Sequence, residues 1–129
     1  MTDITSPSSP YLFLIFGILA LLVVNLLIAL VEGVVLTLLG WNPFRASMMV
    51  AFIMNIISGI FTGILLVILQ GTSLAWLPIS FVVSITIEIL VLTYFKRDSI
   101  RQNIIFAFLV NLSSYVILIL PAYYFGTQQ

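Results

Sequence analysis

The chain has 129 residues, of which 63% are hydrophobic and 6% are charged, and its four Lys and Arg residues balance four Asp and Glu residues. A soluble domain carries about 25% charged residues, so this composition is typical of a protein whose surface lies in lipid. The sequence contains no Cys and no His, which excludes disulfide frameworks, thiol chemistry and the usual zinc and haem ligands. We therefore expect no metal and no cofactor. The few cations cannot neutralise a row of phosphates, so no nucleic-acid partner is expected.

Long apolar stretches predict an all-α integral membrane protein with four transmembrane helices. A helix needs about 20 residues to cross the hydrocarbon core of a bilayer, and each stretch is close to or above that length. The first stretch contains Glu32 as its one ionisable residue. The predicted spans are residues 11–39, 43–69, 78–95 and 100–124.

Turn-forming residues separate these spans and divide the chain into two helical hairpins. Gly40 and Trp41 end the first span, and Asn42 followed by Pro43 is typical of a helix N-cap and a first helical residue. Asp98 is expected to cap the fourth helix in the same way. We expect a disordered tail over 1–10, a first hairpin over 11–69, an outer connection over 70–77 and a second hairpin over 78–125.

The cationic side chains lie in or next to the two short connections that follow the first and third spans; they are Arg45, Lys96, Arg97 and Arg101. Short loops rich in Lys and Arg remain cytoplasmic, so these residues are predicted to be cytoplasmic anchors. Both termini are then expected outside the cytoplasm. Aromatic residues fit an interfacial belt, with Trp41 at the inner boundary and Trp76, Tyr123 and Tyr124 at the outer one.

The sequence matches itself at an offset of 56 residues, which predicts that one hairpin is duplicated. The shift pairs Glu32 with Glu88, so the ionisable residues within the first and third spans are matched. Because each unit contains two helices, both copies enter the membrane in the same direction, as in parallel-repeat membrane proteins. Within residues 30–58, the further identities pair Val35 with Val91, Leu36 with Leu92, Thr37 with Thr93, Arg45 with Arg101, Ala51 with Ala107, Phe52 with Phe108, Asn55 with Asn111 and Ser58 with Ser114.

Each predicted helix carries a row of small and polar residues on one face, which predicts a polar centre for the bundle. Small residues let membrane helices approach closely, and polar side chains then hydrogen-bond across the contact. The expected packing residues are Gly59, Gly63, Ala51 and Ala107, and the buried polar or ion-site candidates are Glu32, Glu88, Asn55, Asn111, Ser58 and Ser114.

The two glutamates are expected inside the membrane. Glu88 precedes Lys96 by eight residues, which places it about 12 Å from the cytoplasmic connection at 1.5 Å per residue. An isolated charge is costly in hydrocarbon, so the neutral acid is favoured there. A neutral Glu and an Asn amide can satisfy each other's hydrogen-bonding groups. The sequence therefore predicts two neutral clamps, Glu32 with Asn55 and Glu88 with Asn111, either within hairpins or exchanged between them.

Two functions are compatible with these residues. In the favoured interpretation, the buried polar residues fix helix packing in a structural, assembly or accessory subunit, since the chain has almost no sequence outside its spans. Its partners are then the lipid bilayer and either other membrane-protein subunits or a second copy. Alternatively, Glu32 and Glu88 serve a small proton- or cation-coupled transporter or channel. No nucleophile or metal-ligand set accompanies the carboxylates, so an enzyme is not expected.

The run of Glu32, Asn55, Ser58 and Gly59, with a turn between its two helices, resembles the membrane part of FraC-type filament-integrity proteins. The resemblance covers this segment and the corresponding segment of the second half. It implies a role at the cell–cell junctions of filamentous bacteria. The sequence lacks the longer polar tail expected of that family, and no functional residue is transferred from it.

Overall fold

The computed structural model describes residues 10–68 and 76–128, which are helical apart from short turns. Within these residues, four helical stretches are long and apolar enough to cross a membrane, which indicates a multi-pass membrane protein. The last stretch is continuous through α4, a π-helical segment and α5. The elements are α1 (Pro10–Leu38), α2 (Phe44–Ile68), α3 (Trp76–Phe95), a 3₁₀ turn (Arg97–Ser99), α4 (Ile100–Ser114), the π-helical segment (Tyr115–Ile119) and α5 (Leu120–Gly126).

The observed helix ends lie within two residues of the predicted spans. The predicted tail and outer connection fall mainly outside the described residues, although Pro10 begins α1 and residues 76–77 belong to α3. The N-cap predicted at Asp98 is wrong. Asp98 lies inside the 3₁₀ turn, and Ser99 precedes α4 without a side-chain cap. An N-cap residue has a non-helical backbone, whereas the turn already begins at Arg97.

The second helix starts one residue later than predicted. Its first backbone hydrogen bond runs from the Ser47 N–H to the Pro43 carbonyl at 3.0 Å. The residue whose carbonyl accepts the first helical bond is the N-cap, so Pro43 takes that position and Asn42 lies outside the helix. The Ser47 hydroxyl donates to the Asn42 carbonyl at 2.9 Å, which fixes the entry of the chain into α2.

The first hairpin turns at a Schellman motif centred on Gly40. This residue has a φ of 73°, a left-handed conformation that glycine adopts without a steric penalty. Its N–H donates to the Thr37 carbonyl, and the Trp41 N–H donates to the Leu36 carbonyl, both at 3.0 Å. This bonding pattern defines the motif and is usually accompanied by a hydrophobic contact. Leu36 and Trp41 belong to one buried cluster, so packing reinforces the turn.

Helices α1 to α4 pack as a ring. α1 contacts α2, α2 contacts α3, α3 contacts α4, and α4 contacts α1. At Gly33, α1 approaches α2 so closely that an added Cβ would lie 3.1 Å from the Met48 Cα and 3.4 Å from the Ala51 Cβ. Because the first of these atoms is backbone, any side chain at Gly33 would push the two helices apart.

A buried hydrophobic layer fills the end of the ring next to the two short connections. Leu36 and Leu92 each lie one helical turn from a glutamate, on the side of those connections. The layer therefore separates the polar centre of the bundle from this end. Its members are Leu36, Trp41, Val50, Ala51, Met54, Leu92, Phe106, Ala107 and Val110.

The π-helical segment between α4 and α5 is explained by Pro121. Proline has no N–H to donate, and its ring clashes with the carbonyl of the fourth preceding residue. A wider turn relieves both problems, and the Leu120 N–H accordingly donates to the Tyr115 carbonyl, five residues earlier. Tyr115 packs edge-on against Phe81 of α3, with ring centroids 4.8 Å apart. Its hydroxyl lies 3.0 Å from that of Ser80.

Candidate functional site at the centre of the bundle

Glu32 and Asn55 form a hydrogen-bonded pair between α1 and α2. Their side chains are almost completely buried, with exposed fractions of 1% and 4%. Asn55 Nδ2 donates to Glu32 Oε2 at 2.6 Å and to the Ala51 carbonyl of its own helix at 2.9 Å. The structure thus brings together the two residues that the sequence pairs, and it does so within one hairpin.

Glu88 and Asn111 make the same contact between α3 and α4. Both are buried, with exposed fractions of 1% and 2%. Asn111 Nδ2 donates to Glu88 Oε2 and, at 3.0 Å, to the Ala107 carbonyl. In each pair the Asn follows the Glu by 23 residues. Each hairpin therefore holds its own glutamate by the same geometry.

Ser114 makes the two glutamates unequal. Its hydroxyl donates to Glu32 Oε1 at 2.8 Å, across 82 residues of sequence, so Glu32 has a donor at each carboxyl oxygen. Ser114 Oγ also lies 3.0 Å from the Asn111 carbonyl of its own helix, and Ser58, at the matching position of α2, makes the corresponding contact at 3.4 Å but none with a glutamate of residues 10–68 and 76–128. In the described part of the chain, Asn111 is the one side chain that donates to Glu88. Glu88 Oε1 is left with no hydrogen-bond donor among those residues.

A cavity of about 560 Å³ extends from these carboxyl groups toward the end of the bundle opposite the short connections. Helices α1 to α4 all contribute to its lining, and the π-helical segment and α5 complete it. Its volume lies in the range of small-molecule sites. The six buried polar candidates from the sequence all line it: Glu32, Glu88, Asn55, Asn111, Ser58 and Ser114.

The predicted packing residues have different environments. Ala51 and Ala107 are completely buried. Each lies one helical turn before the Asn that pairs with a glutamate, Asn55 and Asn111 respectively. At Gly59 an added Cβ would lie 3.0 Å from Asn25 Oδ1, so this glycine makes room for a side chain of α1. At Gly63 the described residues provide no atom within 4 Å of an added Cβ. Gly33, which the sequence pattern does not single out for packing, has the tightest backbone contact of these glycines.

The basic residues lie together at the end of the bundle with the short connections, as their positions in the sequence require. Arg45, Arg97 and Arg101 are exposed, whereas Lys96 is partly buried. Lys96 Nζ donates to the Trp41 carbonyl at 2.8 Å and lies 5.8 Å from the centroid of that indole ring. Lys96 therefore joins the two connections.

Trp41 does not belong to an interfacial belt. Its side chain is 1% exposed, and its Nε1 donates to Asn103 Oδ1 at 3.1 Å. Asn103 Nδ2 in turn donates to the Lys96 carbonyl at 2.8 Å. The indole is buried because α4 provides a partner for its N–H. Tyr123 and Tyr124 are exposed, and their place in an outer belt stays a prediction; the side chain of Trp76 lies outside the described residues.

Equivalent positions do not always make equivalent contacts. Thr37 Oγ1 donates to the Gly33 carbonyl at 2.7 Å, whereas Thr93 Oγ1 is buried without a partner among the described residues. The contacts of Trp41 with Asn103 and of Tyr115 with Ser80 have no counterpart at the offset of 56 residues. The match of the sequence with itself at an offset of 56 residues therefore does not indicate these contacts.

No known protein family, curated protein or solved structure matches this chain. The resemblance to FraC-type proteins stays a prediction.

Proposed function

We propose that this protein is a structural, assembly or accessory subunit of a membrane complex, in which buried polar side chains hold the helices in register. The observation that supports this role is the set of hydrogen bonds on Glu32, which accepts one from α2 and one from α4. Such bonds in membrane proteins contribute about 0.6 kcal/mol each and up to about 1.7 kcal/mol. Side chains engaged in this way specify how the helices pack, and the apolar outer surface remains available to lipid and partner subunits.

The subunit role is tested by the mass and composition of the particle obtained after gentle detergent extraction from the native membrane. We expect a particle that contains other membrane proteins in fixed stoichiometry and far exceeds the 14.3 kDa of one chain. A particle made of this chain alone would contradict the proposal. If the complex is a cell–cell junction, as the resemblance to FraC-type proteins implies, a fluorescent fusion should concentrate at the septa of a filamentous host.

We also propose that the hairpins are duplicated units with their short connections in the cytoplasm and both termini outside. The matched Glu–Asn pairs support the duplication, and the clustering of basic residues supports the orientation. The sequence has no Cys, so single Cys variants give a clean test. Gln128→Cys should react with a membrane-impermeant maleimide on intact cells, whereas Asn42→Cys should react only after permeabilisation. The reverse pattern would overturn the orientation.

A small proton- or cation-coupled transporter is a second candidate, favoured by the cavity that reaches Glu32 and Glu88. Ionisable residues at membrane depth often mark such sites. The buried hydrophobic layer around Leu36 and Leu92 lies on the other side of the glutamates, where a transporter open toward one side would need a barrier. Proteoliposomes should then show a flux that disappears in both Glu32→Gln and Glu88→Gln. Absence of flux in the wild-type protein would leave the structural role alone.

A further inference from the structure

We propose that the central cavity binds a hydrophobic ammonium ion, with the charged nitrogen at Glu88 and the apolar body along the cavity walls. This binding site goes beyond the structural role. It also names a ligand class for the second candidate, but it requires only binding and no transport. The two proposals can therefore fail independently, since binding without flux would contradict transport alone.

The lining of the cavity indicates an elongated, mostly apolar ligand. Its carboxyl groups and the amides of Asn55 and Asn111 lie at the inner end, next to the hydrophobic layer. Other polar residues along the walls, such as Asn25, Thr62 and Ser80, each donate to a carbonyl of their own helix. The apolar wall residues include Leu21, Val24, Ile28, Leu77, Leu118 and Ile119.

The volume of the cavity favours an organic cation over an inorganic one. An inorganic ion would contact only the oxygen atoms at the inner end and would leave most of the 560 Å³ unused. Ligand sites of this size bury most of a ligand's surface against apolar side chains, with a few polar groups that orient it. An ammonium ion with an alkyl or aryl body uses both parts of the cavity.

The charge of the lining favours a cation. Glu32 and Glu88 both line the cavity, and no Lys or Arg is among its described lining residues. Lys96 follows Glu88 by eight residues, and the completely buried Leu92 lies between them on α3. In the absence of a ligand, burial favours the neutral acid, and a cationic ligand would supply the positive charge that the protein does not place next to its carboxyl groups. Glu88 would then bind the ligand as a carboxylate, after releasing its proton to water.

The two carboxyl groups differ in what they can offer the ligand. Glu32 has a donor at each oxygen, from Asn55 and Ser114. Glu88 receives its one donor at Oε2, from Asn111. Its second oxygen has no donor among the described residues, although the side chain is 99% buried and lines the cavity. Glu88 Oε1 is thus the atom that a bound ammonium would contact, and Glu32 remains in its packing role.

The test compares two probes of the same shape, benzylammonium, whose N–H groups can donate to Glu88 Oε1, and its uncharged isostere ethylbenzene. Each is titrated into the protein in nanodiscs of zwitterionic lipid, with protein-free nanodiscs as the blank. We expect saturable binding of the ammonium and at least about tenfold weaker binding of the isostere. Equal binding of both probes would overturn the charge requirement. Absence of saturable ammonium binding would overturn the proposal, as would competition by K⁺ at equal concentration.

Variants of the two glutamates test which carboxyl group contacts the ligand. Glu88→Gln should weaken ammonium binding by about tenfold or more, whereas Glu32→Gln should weaken it by less than about threefold. Thr86→Val changes an exposed residue of α3 and should have no effect. Equal losses in the two Gln variants would overturn the assignment to Glu88. If Glu88→Gln does not fold, the comparison of the two probes on the wild-type protein still decides the charge requirement.

A second pair of variants tests the cavity without altering a carboxyl group. Gly63 lines the cavity, and an added Cβ there meets no described atom within 4 Å. Gly63→Leu should therefore fill the cavity and reduce binding of the ammonium by about tenfold or more. Gly17→Leu is the matched control, because Gly17 is an exposed glycine of α1 with open space around it. Unchanged binding in Gly63→Leu would place the ligand elsewhere and overturn the proposal.

Discussion

Ser114 Oγ donates a 2.8 Å hydrogen bond to Glu32 Oε1, which joins the last span to the first across 82 residues of sequence. Both side chains are 1% exposed. In hydrocarbon no water replaces a lost partner, so buried polar groups depend on each other. Each Glu–Asn pair stabilises its own hairpin, whereas this bond connects one hairpin with the other.

Replacement of Ser114 by Ala should weaken the association of the two hairpins. The variant leaves Glu32 Oε1 without its donor, and we expect a loss of about 1 kcal/mol in the free energy of unfolding. Ser113→Ala is the matched control, because Ser113 donates only to the Leu109 carbonyl of its own helix. Reversible unfolding in mixed detergent micelles measures both variants. Equal effects in the two would show that the cross-bundle bond contributes nothing specific.

The two Glu–Asn pairs should tolerate replacement of the carboxyl group by an amide, but not its replacement by an apolar side chain. Glu32→Gln and Glu88→Gln keep a donor and an acceptor at the site, so both variants should accumulate in the membrane like the wild-type protein. Glu32→Leu and Glu88→Leu leave a buried Asn amide with fewer partners, which costs about 1–3 kcal/mol, and should accumulate less. Immunoblots of isolated membranes provide the measurement. If both Gln variants fail to accumulate, the neutral clamp is wrong.

Trp41→Phe should destabilise the end of the bundle that carries the short connections and the basic residues. The substitution keeps an aromatic ring in the hydrophobic layer but removes the donor to Asn103 Oδ1, for an expected loss of about 1–2 kcal/mol. Phe44→Leu, at an exposed position next to the same connection, should change the free energy of unfolding by less than about 0.5 kcal/mol. The same unfolding assay applies. A stable Trp41→Phe variant would mean that the hydrogen bond at the indole is dispensable.

Glycine should be required at Gly33 and dispensable at Gly63. A methyl group at Gly33 would collide with the Met48 side chain and lie 3.1 Å from its Cα, so Gly33→Ala should cost about 1–3 kcal/mol through overpacking. Gly63→Ala adds a methyl group in open space, and alanine is the better helix former. We expect unchanged or slightly higher stability, read from the same unfolding curves. A destabilised Gly63→Ala variant would point to a contact at Gly63 in the membrane.

Local properties of the sequence account for most of the fold. The apolar stretches predict the helices to within two residues, since hydropathy and length determine whether a segment can cross a bilayer. The turn at Gly40 is also local, because its hydrogen bonds connect residues that are three and five apart. The predicted N-cap at Asp98 is wrong because a 3₁₀ turn precedes α4 and includes Asp98. Several residues near a helix start can begin such a turn, so the local sequence does not determine which one does.

Composition and spacing predict that each glutamate pairs with an asparagine, since a carboxyl in hydrocarbon must find a polar partner and few are present. The choice of the Asn within the same hairpin comes from the packing. The inequality of the two glutamates does not follow from composition and spacing, because it depends on Ser114 reaching from the second hairpin to the first. Burial of Trp41 and the cavity beside Glu88 likewise depend on how the hairpins pack. Such contacts join residues far apart in the chain. They depend on how side chains from separate helices meet, and no local sequence pattern specifies that.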